Sequence, residues 1–271
     1  MYSPYTDVTL YPTYDISTVP NVKWFSLGFI VSDANKNPSW GGYHDIGTDF
    51  YKDIMSKVRA KGGELICSFG GADGNELATV IDDVDQLYNK YRKVIDTYKF
   101  KSIDFDIEGG ALGDTAATDR RAHAILKLRN KYPELEVSLT LPVMPDGLDS
   151  DSMYIVETTP CDLVNIMAMD YGSIGKGDMG KAACDAALAT YKQTGKSIGI
   201  TPMIGKNDTW MKGEIFDIGD AYTVKDFQQN NCWIKRLSCW AIERDRGVWG
   251  DLNWSSQIEQ DPFEFSNIFL D

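Results

Sequence analysis

Eight short apolar runs recur along the chain, and most are followed by a segment with helical spacing. In order they are TDVTLY, WFSLGFIV, ELICSFG, SIDFDIE, EVSLTLPV, LVNIMAMDY, SIGITPMI and LSCWAIER. Most are almost continuously apolar and several are rich in Val and Ile, as strands covered on both faces require. Between them, residues 47–62, 76–98, 114–133 and 181–195 carry apolar residues or alanines at helical steps, the last two stopped by Pro133 and Gly195. Thr223 and Asn253 are placed to cap two further helices, in TVKDFQQNN and NWSSQIEQDPFEF. Eight such units in 271 residues predict an α/β fold of the (β/α)8 TIM barrel type, with residues 1–271 forming one domain. The competing doubly wound sheet lacks support, because no GxGxxG follows the first run and no Walker loop is present.

The fourth run places Asp104, Asp106 and Glu108 at alternate positions with Ile103, Phe105 and Ile107 between them. On a strand the three carboxylates share one side, about 6.6 Å from each to the next. One reading is a solvated face. A closed barrel offers no such edge, so the apolar set faces the helices and the acids turn inward, with Glu108 at the C-terminal mouth where barrel active sites lie. A buried row of carboxylates is costly, each raising the proton affinity of the next, and therefore points to chemistry.

Charge and residue usage narrow the chemistry further. With 27 basic and 40 acidic side chains the net charge is −13, so nucleic acid and anionic membrane surfaces are not expected partners. The two histidines, His44 and His123, have no partnering motif, and the five cysteines show no CxxC spacing, leaving little material for a metal site or a histidine triad. Residues 1–12 carry no basic segment followed by an apolar one, so no secretory signal is visible.

The motifs on these strands resemble those of the family 18 glycoside hydrolases, the chitinase family. Its D-x-D-x-E is matched by Asp104, Asp106 and Glu108; its S-x-G-G by Ser68, Gly70 and Gly71; its M-x-Y-D in part by Met167 and Asp170; and its eighth-strand tryptophan by Trp240. Two positions depart from the pattern. Lys101 and Ser102 stand where the family has Asp-Gly, and Met169 stands at the family tyrosine, with Tyr171 two residues on.

The resemblance implies a chitinase that cuts β-1,4-linked N-acetylglucosamine with retention, the substrate's own 2-acetamido oxygen attacking the anomeric carbon. Glu108 is then the general acid and later the base; Asp106 orients the acetamide; Asp104 shares a proton with Asp106. Asp170 and Tyr171 contact the sugar or the attacking water, Ser68 and Tyr11 hold Asp104 (Tyr11 also being a candidate sugar contact), and Trp240 floors the site beside Met167 and Met169. Trp40, Tyr43 and Trp210, in βα loops, are further candidate sugar platforms. No cofactor or metal is implied, and a monomer acting outside the cell on chitin or its oligosaccharides is expected, as an excised catalytic domain would. Only residues 206–236 are available between strands seven and eight, too few for the α+β domain many members insert there, so an open groove suited to internal cutting is expected. The runner-up is an endo-β-N-acetylglucosaminidase acting on the N-glycan core. A non-hydrolytic chitin-binding lectin fits less well, since Glu108 is present.

Overall fold

The computed structural model describes residues 1–172, 177–209 and 213–271. Its strands are β1 (Tyr5–Asp7), β2 (Trp24–Ser32), β3 (Pro38–Trp40), β4 (His44–Asp45), β5 (Glu64–Gly70), β6 (Ser102–Asp106), β7 (Glu136–Pro142), β8 (Leu163–Ala168), β9 (Ser197–Pro202), β10 (Gly205–Lys206), β11 (Ile215–Phe216) and β12 (Ile234–Leu237). Eight run parallel in the order β1-β2-β5-β6-β7-β8-β9-β12. The ring closes where Leu237 accepts from Ser3 N at 2.9 Å and Cys239 accepts from Tyr5 N at 3.0 Å. This is the expected barrel.

The α-helices are α1 (Lys52–Ala60), α2 (Leu77–Val80), α3 (Val84–Tyr98), α4 (Thr115–Lys131), α5 (Ser150–Thr158), α6 (Met179–Thr194), α7 (Ile218–Gln229) and α8 (Glu264–Leu270). They pack their apolar stripes on the outer strand faces. Ile103, Phe105 and Ile107 are fully buried there, Phe105 stacking on Phe69 at 5.2 Å and meeting Tyr91 of α3 edge-on at 5.1 Å. β1 is followed only by the 3₁₀ turn Ile16–Thr18.

Several expected boundaries shift for local reasons. The segment 76–98 is two helices, because Ile81 is extended and Asp83 caps α3 by accepting from Gln86 N. α7 is capped by Asp217, not Thr223, through a reciprocal capping box with Asp220. α8 begins at Glu264 after Phe263, well past Asn253. The eighth barrel strand ends at Leu237, where the apolar run begins, since its polar residues Lys235 and Arg236 interrupt the pattern. Among the described residues no helix is long and apolar enough to cross a membrane.

Candidate active site

The ladder registers set the interior of the barrel. Asp104 of β6 lies between Ser68 of β5 and Ser138 of β7, and Asp106 lies between Gly70 and Thr140. Asp104 is fully buried and accepts from four hydroxyls: Ser68 at 2.7 Å, Tyr5 at 2.9 Å, Ser138 at 2.5 Å, and Thr140, which stands 2.9 and 3.0 Å from its two oxygens. Hydrogen bonds to a charged acceptor contribute about 1.5–3 kcal/mol each, which offsets the cost of enclosing the group. Asn165 Nδ2 in turn donates to Thr140 at 3.0 Å.

One layer up, Asp106 is buried and its Oδ1 has no hydrogen-bond partner among the described residues. Burial first, then the charges of Glu108 and Asp104, push its pKa well above the ordinary carboxylate range. Glu108, two residues past the strand end, is held up to about 6, mainly by burial and then by Asp208 and Asp73. Gly109 follows with φ 57 and takes the chain away from the mouth.

Gly70 and Gly71 are needed where they stand. Both have positive φ, 103 and 89. A Cβ on Gly70 would stand 2.0 Å from the Asp106 carbonyl oxygen, and one on Gly71 2.7 Å from the Phe29 ring. We expect Gly70→Ala to cost about 3 kcal/mol of stability and to lower kcat/KM at least tenfold (about 1.4 kcal/mol) by displacing Asp106, as read from denaturant melts and steady-state kinetics.

Above the acids opens a cavity of about 420 Å³, within the usual range for ligand sites. Asp106, Glu108, Met167, Met169, Met203 and Trp240 all line it. The Trp240 indole is stacked on Phe29 at 5.7 Å and 21°, with the Tyr5 ring at 6.1 Å. At the mouth, Asp170 is hydrogen-bonded to Asp208 and accepts from the backbone of Thr209. Part of its surface stays in solvent, but partial burial, then Asp208, then Glu214 raise its pKa to about 7. The loop bearing Asp208 is tied down from below: Arg244 Nη2 donates to the carbonyls of Ile204 at 2.8 Å and Lys206 at 2.5 Å. Asn207 Oδ1 accepts from Asp170 N at 3.0 Å.

Several candidates occupy other places. Trp40 is fully buried, because β3 folds back on β2 and pairs it with Ile30. Its Nε1 donates to Tyr98 at 3.1 Å, so it is a core residue and no sugar platform. Tyr11 is 92% exposed beyond the end of β1, and Tyr5, two residues before that end, supplies the hydroxyl to Asp104 instead. The Tyr171 side chain is buried and its hydroxyl is enclosed without a partner among the described residues, outside the cavity lining. The positive φ of Asp170, 54, breaks the strand alternation that would have aimed Tyr171 with Met169. Tyr43 is 86% exposed in the turn between β3 and β4, away from the cavity lining. Trp210 lies outside the described residues.

Tyr5, Phe29, Ser138, Thr140, Asn207, Asp208 and Arg244 are absent from the sequence candidates. Ser138 and Thr140 carried a legible signal, since in EVSLTLPV the polar residues alternate as the acids do in SIDFDIE. Among the described residues no group of three His, Cys, Asp or Glu side chains is arranged to hold a metal ion.

Residues 10–254 match the family described as Glycosyl hydrolases family 18. The chain belongs to that family. It is 32% identical to the Probable bifunctional chitinase/lysozyme of Escherichia coli (strain K12), over 99% of this chain and 34% of that protein. It is 31% identical to Endochitinase 11 of Metarhizium anisopliae, over 90% of this chain and 52% of that one. The family 18 chain thus spans a third to a half of these curated relatives. Active domain 2 of a thermostable chitinase from Pyrococcus furiosus, solved as catalytic site mutants complexed with chito-oligosaccharides, superposes with a TM-score of 0.87 at 29% identity, covering 99% of this chain and 93% of that one.

Proposed function

We propose that this domain is a retaining chitinase that cuts β-1,4-linked N-acetylglucosamine chains internally by substrate-assisted catalysis. The observation that carries the reading is the pairing of Glu108 with Asp106 at the cavity wall, Asp106 presenting a buried oxygen that has no partner among the described residues. An acetamide N–H supplies the missing donor. With the sugar on Trp240, Glu108 gives its proton to the leaving oxygen while the acetamido carbonyl closes on the anomeric carbon. Asp106 holds the acetamide and balances the positive charge that develops on it. Glu108 then takes a proton from water, which opens the oxazolinium ring and restores the β configuration. Asp170 and Asp208 stand where a hydroxyl or the incoming water is held. The similarity to a domain solved with chito-oligosaccharides supports this substrate class. A monomer acting outside the cell, without nucleic acid or membrane partners, completes the proposal.

The test is product analysis. Incubation with N-acetylglucosamine hexamer should give dimers to tetramers. Release of high-mannose glycan from a glycopeptide, with the hexamer left intact, would reassign the domain to N-glycan cleavage. Binding of the hexamer without hydrolysis would make it a lectin.

The pH profile has a definite sign. Glu108 must be protonated to act, and with its pKa at about 6 kcat/KM should fall above pH 6, approaching tenfold per pH unit. Asp208 raises that pKa, so Asp208→Asn makes ionisation easier and should move the falling limb to lower pH. A limb that stays in place or moves upward would remove Asp208 from the electrostatics of the acid.

A further inference from the structure

The acid row has charged and polar groups below it as well as above it. Arg236 lies on β12 and is buried, while its neighbour Lys235 is exposed. It reaches the interior through an irregularity in the strand. Ile234 pairs with Ile198 and Leu237 with Ile200, yet Arg236 pairs with Gly199, the register shifting between Ile234 and Arg236. Such a bulge re-aims a side chain. Here it puts Arg236 on the inward face, opposite a glycine that brings no side chain of its own.

Inside, Arg236 Nη1 donates to Ser138 Oγ at 2.9 Å, and Ser138 Oγ donates to Asp104 Oδ1 at 2.5 Å. The direction of this relay is forced. A guanidinium can only donate and keeps its charge at any working pH. Ser138 must therefore accept from Arg236, and its single proton is left to point at Asp104. Among the described residues no carboxylate lies within ion-pair distance of Arg236. Glu136 and Asp162 line the same opening at the base of the barrel, but Asp162 pairs with Arg129.

Building on the catalytic roles proposed above, we propose that Arg236 is a positioning residue for catalysis: through Ser138 it keeps Asp104 the hydrogen-bond acceptor of the row and sets a fixed positive charge beneath it, so that Asp106 is free to ionise beside the substrate's acetamide. The other titratable groups whose charge couples to the aspartates are Glu108 just past the strand end, Tyr5 from β1 and, from the outer face of β5, Cys67. The tyrosine and the thiol are uncharged at working pH. Near Arg236 stand Lys235, which is exposed, and the Met1 amino group, which donates to the Lys235 carbonyl at 3.0 Å; among the described residues neither hydrogen-bonds to Ser138 or Asp104.

The experiment is the pH dependence of kcat/KM on a fluorogenic N-acetylchitobioside for the wild type, Arg236→Gln and Arg236→Lys. With the cation gone, the row holds protons more tightly, and the rising, acid-side limb should move up by about half a pH unit or more. Arg236→Lys keeps a buried cation that donates to Ser138 and should leave the limb near its wild-type position. A loss of melting temperature in Arg236→Gln with an unmoved limb would show a merely structural arginine and overturn the proposal. Should Arg236→Gln not fold, wild-type NMR decides: the Arg236 guanidinium resonances should titrate together with the aspartate carboxyl carbons, and resonances flat through that transition would overturn it. If the wild type fails to hydrolyse the probe, the catalytic reading fails, and the NMR titration still decides the coupling of Arg236 to the row.

Discussion

Glu108→Gln is expected to lower kcat by about 10³-fold while chito-oligosaccharide affinity stays within about threefold (about 0.6 kcal/mol). The amide matches the carboxylic acid in shape and can still donate a hydrogen bond to the glycosidic oxygen, so the bound sugar keeps its place. It has no proton to give, and the leaving alkoxide departs unprotonated. The split between kcat and binding is the informative part. Steady-state kinetics on a soluble oligomer and calorimetric titration of the same ligand measure the two sides. A fall in affinity that parallels the fall in rate would mean that Glu108 holds substrate more than it moves protons. Unchanged hydrolysis would remove it from the reaction.

The largest effect on stability is expected at Glu76, outside the cavity. Glu76 precedes α2 and accepts from Ala78 N at 3.0 Å, from Tyr91 of α3 at 2.5 Å and from Arg121 of α4 at 3.0 Å. All three side chains are buried, Arg121 fully so. One carboxylate therefore joins the loop after β5, which starts at Gly71, to two helices. Glu76→Ala leaves the Arg121 charge enclosed without its counter-ion, which costs roughly 3–5 kcal/mol and should lower Tm by about 10 °C. Replacing both partners together, as Glu76→Leu with Arg121→Met, removes the stranded charge and should recover much of that loss. Thermal melts followed by circular dichroism check both. A double variant no more stable than Glu76→Ala would show that the geometry of the network matters more than its charge balance.

The barrel was legible because buried parallel strands leave a plain trace, and runs such as ELICSFG and SIGITPMI have no other easy use. The inward turn of the acids followed from strand alternation together with barrel closure, which leaves no solvated edge. What the pattern missed has physical causes. β12 was displaced in the reading because its inward residue is Arg236, a charge where apolar character was sought. Trp40 looked like a loop aromatic until the β3 hairpin folded it against Tyr98, a contact distant in sequence. Tyr171 followed strand parity past the point where Asp170 bends the chain. Asp208 and Arg244 come from separate loops and meet only through tertiary closure. The upward push that Asp208 gives the Asp170 pKa has no one-dimensional signature.

The account rests on a buried carboxylate, Asp106, holding the substrate's own acetamide as nucleophile beside Glu108. Proton NMR of the first product released from an N-acetylglucosamine oligomer, recorded before mutarotation, tests this most directly. The account predicts a new reducing end that is initially the β-anomer. An initial α-anomer would mean a single displacement by water, and would contradict it.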